Sequence, residues 1–404
     1  MYYKFKLAPE GRLFFGDGRQ MQGSVAGTGA GWPMPHLFYH ALISAFYDKW
    51  PQMQPFEQEH KNKNKRDTNW DKSRMRFGGL KTAGIFAELN GRVYLPVPGD
   101  IEPNEGKLDI IRPSGISDLP APLKYMCAAS EAPSKETAGN WISLEGLKKY
   151  LSGEKAPKTE FLNDSDIFTV ESAPGVGINP DTRSNEKSKF YQADYMRLNR
   201  SGSAGMFAFA KCIAKKFNGE ETDLIAKLGE EQNMILGGQR QLVNAEIAKS
   251  GENFLTELSE CKIEGNRMKW VLLAPGLFKN GWLPDFIDKN SGKVKLKPRP
   301  VREKGMKRSD WWEMVQKAPE IDAHLVAAKT GKPFIYSGWS LDKNSDNAGG
   351  APKAAKKYVP AGAVYYFECA DNAEALKLAK ELHLQIKNTK GFAFGVCAPW
   401  ELKQ

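Results

Sequence analysis

Short stretches in which apolar and polar residues alternate dominate this chain, and they arrive in neighbouring pairs. Period-2 alternation puts one side of an extended chain on a core. Tyr2 to Leu7 opens the pattern. Phe86–Leu89 and Arg92–Leu95 flank Asn90-Gly91, the pair favoured in a type I′ hairpin turn. From Asp166 come "DIFTVESAPGVGI", "KFYQADYMRLN" and "GMFAFAKCIAK", then a strand in which Val243, Ala245 and Ile247 share a face. A second set holds "EGNRMKWVLLAPG", "AHLVAAK", "KPFIYSGWSL", "AVYYFECA" and the closing stretch "TKGFAFGVCAPWE". In that last stretch Phe392 and Phe394 are expected to point inward from one strand face.

Helical spacing is rarer. Pro33 and Pro35 introduce a helix carrying Leu37, Ala41, Leu42, Ala45 and Phe46 on one face. Ser143 can cap a short helix through Tyr150. Thr222–Glu230 and "SDWWEMVQKA" read as further helices. "NAEALKLAKELHL" reads as a helix capped by Asn372, with a stripe of Ala375, Leu376, Ala379 and Leu382.

Each half therefore runs strand, helix, strands, helix, strand. That order predicts an α+β fold with largely antiparallel sheets, the ferredoxin-like (split βαβ) unit occurring once in each half. A chain of 404 residues exceeds one ordinary core, which agrees with two domains, 1–260 and 261–404. Two insertions are expected in the first: a polar, basic one at 51–76 and an irregular one, rich in Pro, Gly and Ser, at 99–140. The polar stretch "NPDTRSNEKSK" is too long for a tight turn and predicts a hairpin arm near 174–191.

Hydrophobic residues make up 41% and charged residues 26%, the composition of a globular protein. No run of about eighteen apolar residues occurs, so no membrane span is expected, and the alternating N-terminus does not read as a secretory signal. The five cysteines are scattered, without a CxxC pair. A disulfide framework or structural zinc site is not expected, and a reducing cytoplasm is the default. The formal charge of +10 favours an acidic partner, of which nucleic acid is the commonest.

Several motifs are excluded. No GxxxxGK[ST], HExxH or GxSxG occurs. "GTGAGW" begins like a dinucleotide turn, but Trp32 stands where the third glycine belongs and prolines follow. No cofactor is expected. His36 and His40, four apart, can share a helix face; as metal ligands they lack a third partner nearby, and as a general base for RNA cleavage they lack a local acid or lysine.

What remains is a set of glycines beside basic or amide side chains: "LFFGDGRQ" (Arg19, Gln20), "PGVGINPDTRS" (Arg183), "LGGQRQ" (Gly237, Gly238, Gln239, Arg240) and "KGFAFG" (Lys390, Gly391). Glycine lets a phosphate approach main-chain N–H groups, and arginine clamps it bidentately. Aromatics, Trp339 among them, can stack unpaired bases.

In this combination the chain resembles the handle-binding group of the RAMP superfamily, and most closely the third-subunit family of type III-B, or Cmr, CRISPR effector complexes. The resemblance runs the full length in order: "LFFGDGRQM", "GWPMPHLFYHAL", "GRVYLPVPGD", "PGVGINPDTRSNEKSKFYQADYMRL", "LGGQRQ", "SGWSLDK" with "KYVPAGAVYYFE", and "KGFAFGVCAPWE". It departs where His40 replaces a glycine and where Gln239, Ala393 and Ala398 replace the family's usual residues.

The resemblance implies a non-catalytic subunit that grips the 5′ handle of the guide RNA (crRNA). Such subunits bridge the large polymerase-cyclase subunit to the backbone RAMP subunit, and a hairpin arm folds over the guide. It implies handle contacts from Arg19, Gln20, Arg183, Gly237, Gly238, Gln239 and Arg240, with Trp339, Lys390 and Gly391 as further candidates. Two alternatives stand beside it. One is a metal-independent ribonuclease using His36 or His40; the other is a purely structural assembly subunit.

Overall fold

The computed structural model describes residues 2–16, 31–50, 79–104, 107–128, 138–179, 181–199, 203–215, 221–249, 254–260, 262–300, 302–303, 305–340, 351–386 and 390–402. The insertion expected at 51–76 lies outside them.

The first half is built on strands β1 (Tyr3–Pro9), β2 (Leu80–Leu89), β3 (Arg92–Pro96), β4 (Trp141–Ser143) and β5 (Phe161–Leu162). A long hairpin follows, β6 (Phe168–Ile178) with β7 (Asn185–Leu198). Then come β8 (Gly205–Lys215), β9 (Glu221–Asp223), β10 (Glu231–Ile235) and β11 (Leu242–Lys249). Helix α1 (Pro35–Lys49) connects β1 to β2, and α2 (Leu144–Leu151) follows β4. The second half holds β12 (Arg267–Leu272), α3 (Arg308–Lys317), β13 (Ala323–Lys329), β14 (Val364–Cys369), α4 (Asn372–Leu382) and β15 (Gly395–Pro399).

The first sheet runs β10-β11-β1-β8-β2-β3-β4-β5, with β9 paired to β8, and the second runs β13-β14-β12-β15. Every pairing in both is antiparallel. In the second sheet the four strands lie in the order fourth, first, third, second. The same order recurs in the first sheet as β11-β1-β8-β2.

Alternation explains how the sheets stack. In β8, Met206, Ala208, Ala210 and Cys212 join the core under α1, whereas Phe207 and Phe209 point the other way. In β14, Tyr365, Phe367 and Cys369 pack under α4, whereas Val364 and Tyr366 face the first sheet. Both strands are thus apolar on both sides, and the layers run α1, first sheet, second sheet, α4. Phe86, Phe207, Phe209 and Phe254 fill the seam, with ring centroids 5.1–5.9 Å apart.

Local signals account for several boundaries. Pro35 occupies the first turn of α1, where its missing N–H costs no helical bond. Asn90 and Gly91 have φ of 51° and 75°, as a type I′ turn requires. Ser143 caps α2 by accepting from the Gly146 amide at 3.0 Å.

Several expectations are corrected. Thr222–Glu230 is not a helix: β9 ends at Asp223, whose carboxylate accepts from the Ile225 and Ala226 amides at 3.0 and 3.2 Å and folds the chain into turns. Residues 99–140 are not wholly irregular, since Ile101–Asn104 pairs with Lys107–Ile110 and Ser114–Ile116 with Tyr125–Met126. The cap of α4 is Asp371, which accepts from the Glu374 amide at 2.8 Å, rather than Asn372. Its buried stripe uses Leu378, not Leu376, which is 44% exposed.

Phe392 and Phe394 do not share a strand face. They precede β15 in a turn where Ala393 takes φ of 53°. Phe394 consequently packs in the seam, and Phe392 packs against Met34 and Tyr358. "KPFIYSGWSL" is likewise two short strands, Phe334–Tyr336 and Trp339–Ser340.

Candidate nucleic-acid interface

The chain leaving β1 passes between two neighbours. Leu13 exchanges backbone hydrogen bonds with Met196 of β7 at 2.7 and 2.8 Å. On its other side the Phe14 carbonyl accepts from the Gly238 amide at 2.8 Å. The "LFF" segment therefore joins the base of the β6–β7 hairpin to the "LGGQRQ" loop between β10 and β11.

Glycine is needed in that loop. Gly237 has φ of 85°, and a Cβ there would fall 2.6 Å from the Phe14 carbonyl oxygen and 2.8 Å from the Phe15 ring. At Gly238 a Cβ would meet the Phe14 ring at 2.8 Å. Gln239 and Arg240 then take φ of 55° and 53°, two consecutive left-handed residues without glycine. Such a conformation costs an L-residue about 1–2 kcal/mol.

The loop is held from the hairpin side. Tyr195 donates its hydroxyl to the Gln239 side-chain oxygen. The Phe14 ring lies 5.6 Å from that of Tyr195, and the Arg12 guanidinium sits 3.9 Å from the Tyr195 ring centre. Arg197 forms a bidentate pair with Glu171 and holds its carboxyl below the usual range. Arg240 stays exposed, and the backbone amides of Gln239 and Arg240 have no acceptor among the described residues. Successive unpaired amides in a turn form a concavity for an anion.

The other expected residues are dispersed. Arg183 is exposed at the hairpin tip with φ of 51°, its amide bonded to the Asn179 carbonyl at 2.9 Å. Tyr195 pairs with Glu171, seven residues below Ile178. At roughly 3.4 Å per residue Ile178 lies about 24 Å along the hairpin from Glu171, and Arg183 lies beyond it at the tip. Arg19 and Gln20 lie outside the described residues. Trp339 pairs with Pro352 through its backbone, and its side chain is likewise outside them.

Lys390 and Gly391 belong to a second cluster, at the start of α1. Gly391 has φ of 80° and packs against Thr82 and Pro35. Lys390 Nζ lies 3.5 Å from His40 Nε2. His36 stacks on Phe392 at 5.6 Å, with Tyr336 at its edge at 5.4 Å. Burial first, then His40 and the positive charges of Lys390 and Lys353, push His36 down to about 3, and burial followed by the same two lysines pushes His40 down to about 4. Both imidazoles are therefore neutral near pH 7. Sequence spacing left these histidines without a lysine partner, and the fold corrects that by returning the last loop onto α1. The two clusters have no described hydrogen-bond, ion-pair or ring partner in common.

Arg12, Phe14 and Tyr195 escaped the sequence reading. "LFF" and "ADYMRL" stood in the matched segments, but nothing in the sequence said that they touch. Among the described residues no group of three or more His, Cys, Asp or Glu could hold a metal ion, and no helix is long and apolar enough to cross a membrane.

The fold is thus an α+β chain with antiparallel sheets that presents exposed arginines on a hairpin tip and on a glycine-built loop. The model of the CRISPR-associated protein (Cas_Cmr3) family matches residues 5–400, so the chain belongs to that family. No curated protein matches it.

Among solved structures, it is similar to a chain of the type III-B Cmr-beta complex bound to cognate target RNA and AMPPnP. The identity is 12%, the alignment covers 90% of this chain and 86% of that one, and the TM-score is 0.44. The same complex with cognate target RNA alone gives 12%, 90%, 86% and 0.43. A chain of the Csm3-Csm4 subcomplex of the type III-A CRISPR-Cas interference complex gives 11%, 92%, 93% and 0.40.

Proposed function

We propose that this chain, as a subunit of a type III-B CRISPR (Cmr) complex, grips the 5′ handle of the guide RNA without cutting it. In this reading it also bridges the large polymerase-cyclase subunit to the backbone RAMP subunit. The observation that carries the reading is the left-handed turn at Gln239 and Arg240. It presents amides that have no acceptor among the described residues beside an exposed guanidinium and is braced by Phe14 and Tyr195. Phosphate needs that combination. The hairpin, with Arg183 at its tip, is the arm that would fold over the guide. The recurrence of one strand order supports reading the halves as two ferredoxin-like units, with a boundary near 260 between β11 and β12.

A second reading has one observation in its favour. Lys390 beside His40 is the kind of pairing a metal-independent ribonuclease uses. Against it, neutral imidazoles supply no ready acid for the leaving oxygen at neutral pH. Incubating the protein with labelled repeat RNA and with handle-bearing guide, in the absence of divalent metal, separates the readings. Handle-dependent binding without cleavage is expected. Cleavage that disappears in His36→Ala or His40→Ala would establish the nuclease instead.

A further inference from the structure

Helix α3 has ten residues and buries one, Val315. Helices in proteins draw most of their stability from packing a face, so this one is sparsely supported by its own chain. Trp311 anchors it by donating Nε1–H to the Pro300 carbonyl at 2.8 Å. Trp312 and Met314 are 44% and 47% exposed. At about 100° per residue they lie on opposite flanks.

On the Met314 flank a cleft of about 370 Å³ opens between α3 and α4. Its apolar lining is Met314 of α3 and Ala318, which caps the C-terminus of α3, with Pro298 and Pro300 from the preceding segment. Arg299, Lys377 and Lys380 supply positive charge. Glu381 also lines the cleft and accepts from the Arg299 amide at 3.1 Å. Lys377 is engaged by Glu374, whereas the Arg299 guanidinium and the Lys380 ammonium have no acceptor among the described residues.

We propose that the cleft between α3 and α4 seats an apolar side chain from an acidic segment of a partner protein, whose carboxylates meet Arg299 and Lys380. The chemistry favours protein over RNA. Among the described residues no aromatic ring lines the cleft, so a base has no stacking platform from them. A recessed aliphatic and thioether surface suits an aliphatic anchor, and Trp, Met and Arg are residue types enriched in protein interfaces. The positive rim selects an acidic partner.

This inference rests on the reading of the chain as a subunit of a larger complex, and its test is made on that complex. A benzophenone amino acid is placed at position 314 in place of Met314, the assembled complex is purified and irradiated, and the cross-linked peptide is sequenced. The expected product joins position 314 to an acidic segment of a different protein subunit. In parallel, Arg299→Glu with Lys380→Glu should reduce recovery of this chain in the complex about tenfold while its melting temperature is unchanged.

A cross-link to RNA, to a second copy of this chain, or to nothing overturns the proposal. Undiminished recovery of the charge-reversed variant does the same. If the complex still carries guide RNA of fixed 5′ end when the cross-link fails, the RNA-gripping reading stands and only this surface is wrong.

Discussion

Lys269 of β12 extends its ammonium to 3.3 Å from the carboxylate of Asp100, which follows β3, and both side chains are buried in the seam between the two halves. Asp100 also accepts from Tyr150 at 2.7 Å and from Tyr366 at 2.8 Å, and Lys269 lies 3.7 Å from the centre of the Tyr150 ring. Asp100 and Tyr150 come from the first half, Lys269 and Tyr366 from the second. Burial pushes the Lys269 ammonium below its usual pKa, and Asp100 works against that shift.

Removing the carboxylate should therefore be costly. Asp100→Ala leaves a buried cation without its carboxylate, the Tyr150 hydroxyl without its acceptor and Tyr366 with only the Ile111 carbonyl at 3.4 Å, and a loss of about 3–5 kcal/mol is expected. Replacing both partners, as Asp100→Leu with Lys269→Met, should recover a large part of it. Urea unfolding of the single and double variants measures the coupling. Equal losses in Asp100→Ala and in the double variant would contradict the account.

The loop that holds Arg240 separates stability from RNA binding. Arg240→Gly relieves a left-handed residue and should raise stability by about 1 kcal/mol or leave it unchanged. It should nevertheless weaken binding to guide RNA. Gly237→Ala should do the opposite kind of damage: its Cβ collides with the Phe14 carbonyl and Phe15, so stability and RNA binding fall together. Thermal melts beside RNA titrations of both variants check the pair.

The histidines of α1 predict a pH dependence. A histidine depressed in the folded state stays neutral there while the unfolded chain protonates near the ordinary value of about 6.5. The unfolded state then binds more protons, so stability falls as pH drops from about 6.5 towards the folded values, about 4 for His40 and about 3 for His36. His36→Phe keeps a ring against Phe392 and should flatten this slope. Denaturant midpoints between pH 7 and pH 4 measure it.

Much of the fold was legible because alternation is a local signal. β8 and β14 read as strands from their own residues, and Asn90-Gly91 named its own turn. The Thr222–Glu230 segment misled because Leu224, Ile225 and Leu228 are buried at spacings that suit a helix, while an aspartate side chain turns the chain there instead. The site was legible only in pieces. Arg240 and its glycines stood out, but Tyr195, 44 residues away, was invisible as its brace. The Asp100–Lys269 pair spans 169 residues and leaves no trace in local spacing.

Arg183 and Arg240 test different parts of the grip. Each is expected to hold one phosphate, so Arg183→Ala or Arg240→Ala should reduce the slope of log affinity against log salt by about 0.7. The double variant should lose about twice that, since Arg183 sits at the hairpin tip and Arg240 in the loop at its base, and they share no partner among the described residues.

The most direct test of the central claim is the affinity of the protein, alone and within its purified complex, for guide RNA with and without the 5′ handle, measured across salt concentrations. The account predicts tighter binding to handle-bearing RNA, with Arg240→Ala removing most of that preference and lowering the salt slope. Equal affinity for both RNAs in the complex, or a preference that Arg240→Ala leaves untouched, would contradict it.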